Sequence, residues 1–136
     1  MTKKLFIFLF TSMLFPCFSQ NTVTVKITNV NYSKKGQLRI AVFNENGFLN
    51  NNKVYDGKVI AANKNQIEVV FSLPDGVFAI AVIHDIDENK KLSTNIVGYP
   101  TEPYAFSNNK YGVMGPPNFK DVSFKASVTK TLTINL

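Results

Sequence analysis

From Thr22 onward apolar and polar residues alternate, Val23, Val25 and Ile27 against Thr24, Lys26 and Thr28, which is the period of a strand with one buried face. After a turn at Ser33-Lys34-Lys35-Gly36, Leu38, Ile40 and Val42 resume the alternation against Arg39, Ala41 and Phe43. The short separation predicts an antiparallel hairpin between these two strands. Asn44 to Gly57 mixes turn formers with isolated apolar residues and predicts a loop with at most a short helical turn around Phe48 and Leu49. A short strand over 58–62 and a clean one at Ile67, Val69, Phe71 and Leu73 follow. Pro74-Asp75-Gly76 is a turn, because proline presets the first dihedral and glycine accepts positive φ.

The next strand, Val77 to His84, is apolar on both faces, with Phe78, Ile80 and Val82 on one side and Ala79, Ala81 and Ile83 on the other. That pattern predicts a central position in a sheet. Two more strands are read at Val122, Phe124, Ala126 and Val128 and at Leu132, Ile134 and Leu136. No segment of ten or more residues carries a helical period, so seven strands of this size predict an all-β fold, a single two-sheet antiparallel sandwich. One stretch breaks the pattern. His84 to Phe119 reads HDIDENKKLSTNIVGYPTEPYAFSNNKYGVMGPPNF, well beyond the usual length of a connection, and its density of acidic, amide, aromatic, Gly and Pro residues predicts function there.

The first residues change the picture of where this domain works. Lys3 and Lys4 precede an apolar run from Leu5 to Phe15, and Cys17-Phe18-Ser19 offers small residues where a signal peptidase reads, so residues 1–19 are expected to be a signal peptide and 20–136 one domain. The protein is then periplasmic or secreted. The apolar run is too short to span a bilayer, and no other run of about 20 apolar residues follows. Cys17 also stands where a lipoprotein signal would carry its acylated cysteine, but Pro16 occupies a place that wants a small residue, which favours the ordinary cut. A cut after Ser19 leaves no thiol, and so no disulfide, Cys metal site or Cys nucleophile. Of 15 Lys and Arg against 9 Asp and Glu, removal of Lys3 and Lys4 leaves 13 against 9, a mildly basic domain. Its lysines are scattered, and none of the runs interleaves bases with aromatics as a nucleic-acid platform does.

Within the long connection, Asp85, Asp87 and Asn89 stand at alternate positions, so their oxygens can curl around one hard cation such as calcium. The pattern is partial, because a full calcium loop has Gly where Lys90 stands and a bidentate carboxylate where Ile96 stands. The other reading is a turn whose Asp and Asn side chains satisfy local N–H groups. His84, the sole histidine, makes neither a zinc site nor a triad alone, and is expected to pack at the sheet rim. Paired with Asp85 or Glu102 it would supply a hydrolase with an acid or base. Tyr99, Tyr104 and Phe106, with Glu102, Ser107 and Asn108, form either a pocket for a small polar or sugar-like ligand, with His84 at its rim, or the plug by which the loop packs on the sandwich.

The blocks LPDGVFAIAVIHDIDENKKLSTNIVGYPTEPYAFSNN and YGVMGPPNFKDVSF resemble a bacterial group, domain-of-unknown-function family 2141. They share its Gly turn, its central strand ending in His-Asp, an acidic-amide loop, a Gly-x-Pro-x-Glu segment and a Gly-Pro-Pro-x-Phe segment. The resemblance covers essentially the whole expected mature chain. It implies an exported bacterial protein with an immunoglobulin-like or transthyretin-like sandwich and no established activity. The family signature falls on Gly76, His84, Asp85, Asn89, Leu92, Gly98, Pro100, Glu102, Pro103, Phe106, Ser107, Gly115, Pro116, Pro117 and Phe119. Similar members read Asp-x-Asn-x-Asn-Gly-x-Leu-Asp in the acidic loop, so Lys90 for Gly and Ser93 for Asp weaken a cation site here. The leading expectation is a non-enzymatic module that binds a small ligand, a glycan or an envelope protein through 84–119. The alternatives are a calcium-stabilised module and, behind it, a hydrolase.

Overall fold

The computed structural model describes residues 20–136, so the expected signal peptide and Cys17 lie outside the described residues. Within them the strands are β1 (Gln20–Thr28), β2 (Gln37–Phe43), β3 (Asp56–Ala61), β4 (Ile67–Pro74), β5 (Gly76–Asp85), β6 (Tyr104–Phe106), β7 (Ser123–Ala126) and β8 (Lys130–Asn135). They form a two-sheet sandwich. One sheet has the order β4-β1-β8; the other runs β3-β2-β5, with β6 and β7 sharing the far edge of β5 end to end. The pairing is antiparallel except for β1 with β8.

The alternation read from sequence becomes the core. Val23, Val25 and Ile27 of β1 and Val69, Phe71 and Leu73 of β4 meet Leu38, Ile40 and Val42 of β2 and Phe78, Ile80 and Val82 of β5 between the sheets. β5 is central, as its two apolar faces require. The expected hairpin of the first two strands is corrected. β1 pairs with β4 and β8, whereas β2 pairs with β3 and β5 in the opposite sheet. The reason lies in the linker: Asn29 turns the chain with a φ of 61°, and Val30, fully buried, donates its N–H to the Asn65 carbonyl at 3.0 Å. The chain therefore crosses the sandwich instead of folding back along β1.

An eighth strand, β6, lies inside the long connection. Three residues are too few to show a period, and its place is set by pairing with Ala81–Ile83. The loop before β3 carries two short 3-10 turns, Glu45–Gly47 and Asn51–Lys53. Phe48 from this loop, with Phe106, Phe119 and Val122, covers Ala79 on the outer face of β5. Phe43, on the alternate face of β2 with Arg39 and Ala41, is buried there as well.

Inner and outer positions of one strand should respond differently to substitution. Leu73→Ala removes a fully buried side chain from between the sheets and is expected to cost about 3 kcal/mol. Val70→Thr, on the half-exposed face of the same strand, is expected to stay within about 0.5 kcal/mol. Urea unfolding of both variants checks the register of β4.

Candidate functional site

The end of β5 sends consecutive side chains to opposite faces, as any strand does. His84 continues the inner face and is fully buried; its Nε2 lies 2.6 Å from the Lys35 carbonyl, which places the ring proton on that nitrogen and leaves Nδ1 without a partner. Asp85 turns to the outer face, also fully buried, and accepts from Arg39 Nε at 2.6 Å across the strand pair. His84 is therefore not brought together with Asp85 or Glu102 as an acid-base pair. Gly36 makes the approach of the neighbouring turn feasible. Its φ is 77°, and a Cβ there would stand 2.4 Å from the Asp85 carbonyl oxygen.

Asp85, Asp87 and Glu102 each offer a carboxylate oxygen within 4.8 Å of the others. Glu102, fifteen or more residues away in sequence, thus joins two of the three expected cation ligands. Asn89 enters mainly as a donor. Its N–H reaches Asp85 Oδ1 and Asp87 Oδ1, both at 3.1 Å, and its Nδ2 reaches Asp87 Oδ2 at 3.1 Å. Glu102 accepts from Ile86 N–H at 2.7 Å, Asp87 N–H at 3.4 Å and Ser93 N–H at 3.0 Å, while Lys90 N–H donates to Asp85 Oδ2 at 2.9 Å. Ser93, where the family pattern has Asp, donates its hydroxyl to Asp87 Oδ2 at 2.9 Å.

Backbone N–H groups converging on three carboxylates make this cluster an internal brace for the turn after β5. A calcium ion would compete with them for the same oxygens. Burial pushes the Asp85 carboxyl up, but the Arg39 hydrogen bond, the Lys90 N–H and the Arg39 charge outweigh it and hold the pKa below the ordinary carboxylate value.

The aromatic part of the connection divides between two roles. Ser107, fully buried, accepts from Ile80 N–H at 2.9 Å and donates to the Val122 carbonyl. Asn108, at a φ of 62°, donates to the Asp121 and Ser123 carbonyls. Both tie β6 to the segment before β7. Tyr99, Tyr104 and Phe106 instead line a hollow on the outer face of the five-stranded sheet.

A second hollow adjoins it, and that one exists because the sheet presents a row of small residues. Gly57 of β3 pairs with Ala41 of β2, and Ala41 pairs with Ala81 of β5. These three form the floor, and the next row along the strands, Val59, Arg39, Ile83 and Tyr104, rises beside it. Two adjoining hollows, of about 420 and 720 Å³, share Leu49, Leu92, Tyr104 and Phe106 as their common wall. Each lies in the size range of small-molecule sites. The floor escaped the sequence reading because a small residue in a strand is read as filler; only its pairing across three strands reveals a groove.

Two measurements test the brace. Arg39→Met leaves the Asp85 carboxylate buried with backbone donors only and is expected to cost about 2 kcal/mol at pH 7. Because the Asp85 pKa is lowered on folding, its contribution is present above the unfolded value of about 3.9 and is lost as pH falls through the folded pKa, so wild type and variant should converge in acid. If the brace is complete in itself, the melting temperature is the same in EDTA and in millimolar calcium; a rise of several degrees in calcium would show instead that the cluster takes a cation.

Comparison with known proteins agrees with the family read from the sequence blocks. Residues 25–135 match the model of a family described as uncharacterized protein conserved in bacteria, DUF2141. No curated protein and no solved structure matches the chain. With nearly all of its described residues inside that match, including both halves of the sandwich, the acidic brace and the outer groove, the chain belongs to the DUF2141 family.

Proposed function

We propose that this chain is an exported, non-enzymatic binding module that holds a small, largely apolar ligand in the groove on the outer face of its five-stranded sheet. The observation that carries the reading is the Gly57-Ala41-Ala81 row, which floors a hollow lined on its sides by Phe43 and Phe106 and by Lys90 to Leu92 of the braced turn. A sheet face with no ligand to accommodate would ordinarily be filled by larger side chains or left polar. Aromatic and aliphatic walls suit an apolar body better than a glycan, which needs several converging polar groups. The brace fits the same reading, because it stiffens the turn that carries Leu92 to the groove wall. Export is supported by the leader-like first residues. No helix among the described residues is long and apolar enough to cross a membrane.

The neutral dye N-phenylnaphthylamine should bind the purified protein saturably, with a rise in fluorescence. Ala81→Leu fills the floor and is expected to weaken binding by about tenfold or more while the far-ultraviolet circular dichroism stays unchanged. Equal binding by the variant, or no saturable binding by wild type, would overturn the groove; a glycan or an envelope protein captured in its place would then be the occupant to pursue. Expression of the full chain in a bacterial host should yield a mature N-terminus at Gln20 in the periplasmic or secreted fraction, read by N-terminal sequencing. A lipid-modified Cys17 would redirect the reading to an anchored protein.

A further inference from the structure

The two hollows that make up the groove differ in charge. The smaller one is lined by Arg39, Lys58, Lys90 and Lys91 and by no carboxylate, whereas the larger one is lined by no charged residue at all. Two of the four cations are committed elsewhere. Arg39 is bound to Asp85, and Lys58, paired with Ile40 of the inner face, sends its Nζ to within 5.5 Å of the Phe71 ring centroid. Lys90 and Lys91 are exposed and form no ion pair among the described residues. Asp85 and Glu102, buried beside them, are taken up by backbone N–H groups of the turn, and neither they nor the exposed Asp87 and Glu88 of that turn line the hollow.

The uncharged end has the opposite anomaly. Val113 and Met114 are fully exposed, and Val97 and Tyr99 across the hollow are about three-quarters exposed. Aliphatic side chains gathered on both walls of one hollow and left to water mark a surface that something apolar covers. A cationic rim at one end, continuous through Leu49, Leu92, Tyr104 and Phe106 with an apolar trough at the other, is complementary to a molecule with one charged head and one apolar tail.

We infer that the ligand is a single-chain amphiphile with an anionic head, such as a long-chain carboxylate, held with its head at Lys90 and Lys91 and its chain along the trough toward Val113 and Met114. This rests on the groove reading above and adds polarity and direction to it. Lys90 sits at a φ of 70°, a conformation that glycine adopts without strain, so Lys90→Gly removes the charge and suits the backbone. The backbone bonds of the turn involve only the main-chain N–H of Lys90 and Lys91, so side-chain changes spare them.

The test displaces N-phenylnaphthylamine from the protein purified after expression of the full chain, using dodecanoate, dodecan-ol and dodecylamine as matched competitors. Dodecanoate should displace the dye at a concentration lower than the alcohol by about tenfold, and the amine should be weakest. Lys90→Gly combined with Lys91→Gln should abolish the advantage of the carboxylate and leave the alcohol unchanged, and added salt should erode the advantage in wild type. Equal displacement by all three competitors, or a carboxylate preference that survives the double substitution, overturns the anionic head while leaving the groove standing. Dye binding that no amphiphile displaces overturns the ligand class. Failure of the wild-type protein to bind the dye at all overturns the groove and this inference with it.

Discussion

A strand whose two faces are both apolar has to be covered twice, and β5 imposes that demand on the whole domain. Its inner face is covered by the three-stranded sheet, through Phe71, Leu73 and the valines of β1. Its outer face has no second sheet, so the loop before β3, the long connection and the helical turn that ends it supply Phe48, Phe106, Phe119 and Val122 over Ala79. The coverage stops at Ala81, where the side chains become small and the groove begins. The architecture around the candidate site follows from this half-finished second layer.

The carboxylates at the end of β5 serve the same layer. A connection running from β5 to β6 with only an isolated bridge between Thr94 and Pro100 leaves many N–H groups to satisfy. Asp85, Asp87 and Glu102 take them up at one point, and Arg39 offsets part of the charge. The turn is thereby pinned to the sheet edge, and β6 is delivered in register beside Ala81–Ile83. Glu102 couples the two ends of the turn, because it accepts from residues just after β5 while standing two positions before β6.

Much of this was legible in the chain. The alternation at Val69, Phe71 and Leu73 and the inner positions Phe78, Ile80 and Val82 of the two-faced run state their burial directly, because strand period and core face are the same physical fact. The sheet to which β1 belongs was not legible, because one apolar face pairs equally well with either neighbour and Val30 decides the matter by burial after a bend. In the site, Asp85 and Asp87 stood out by spacing, but Glu102 joins them through folding of the turn, which no local pattern encodes. Arg39 gave no signal beyond being the sole arginine, and its meaning depends on the cross-strand approach of Asp85. Tyr104 and Phe106 were visible as aromatics, whereas the floor beneath them was invisible because its residues contribute by being absent in bulk.

The floor row has a consequence for how such a domain can change. Gly57, Ala41 and Ala81 point away from the sandwich interior, and a Cβ added at Gly57 meets its nearest neighbours at 3.4 and 3.6 Å, ordinary van der Waals distances. Depth and shape of the cleft can therefore drift by single side chains while the packing that holds the sheets together is untouched. Changes to the outer cleft and changes to the packed core fall on opposite faces of the same strands, so one scaffold can vary the shape of its cleft at little risk to its fold.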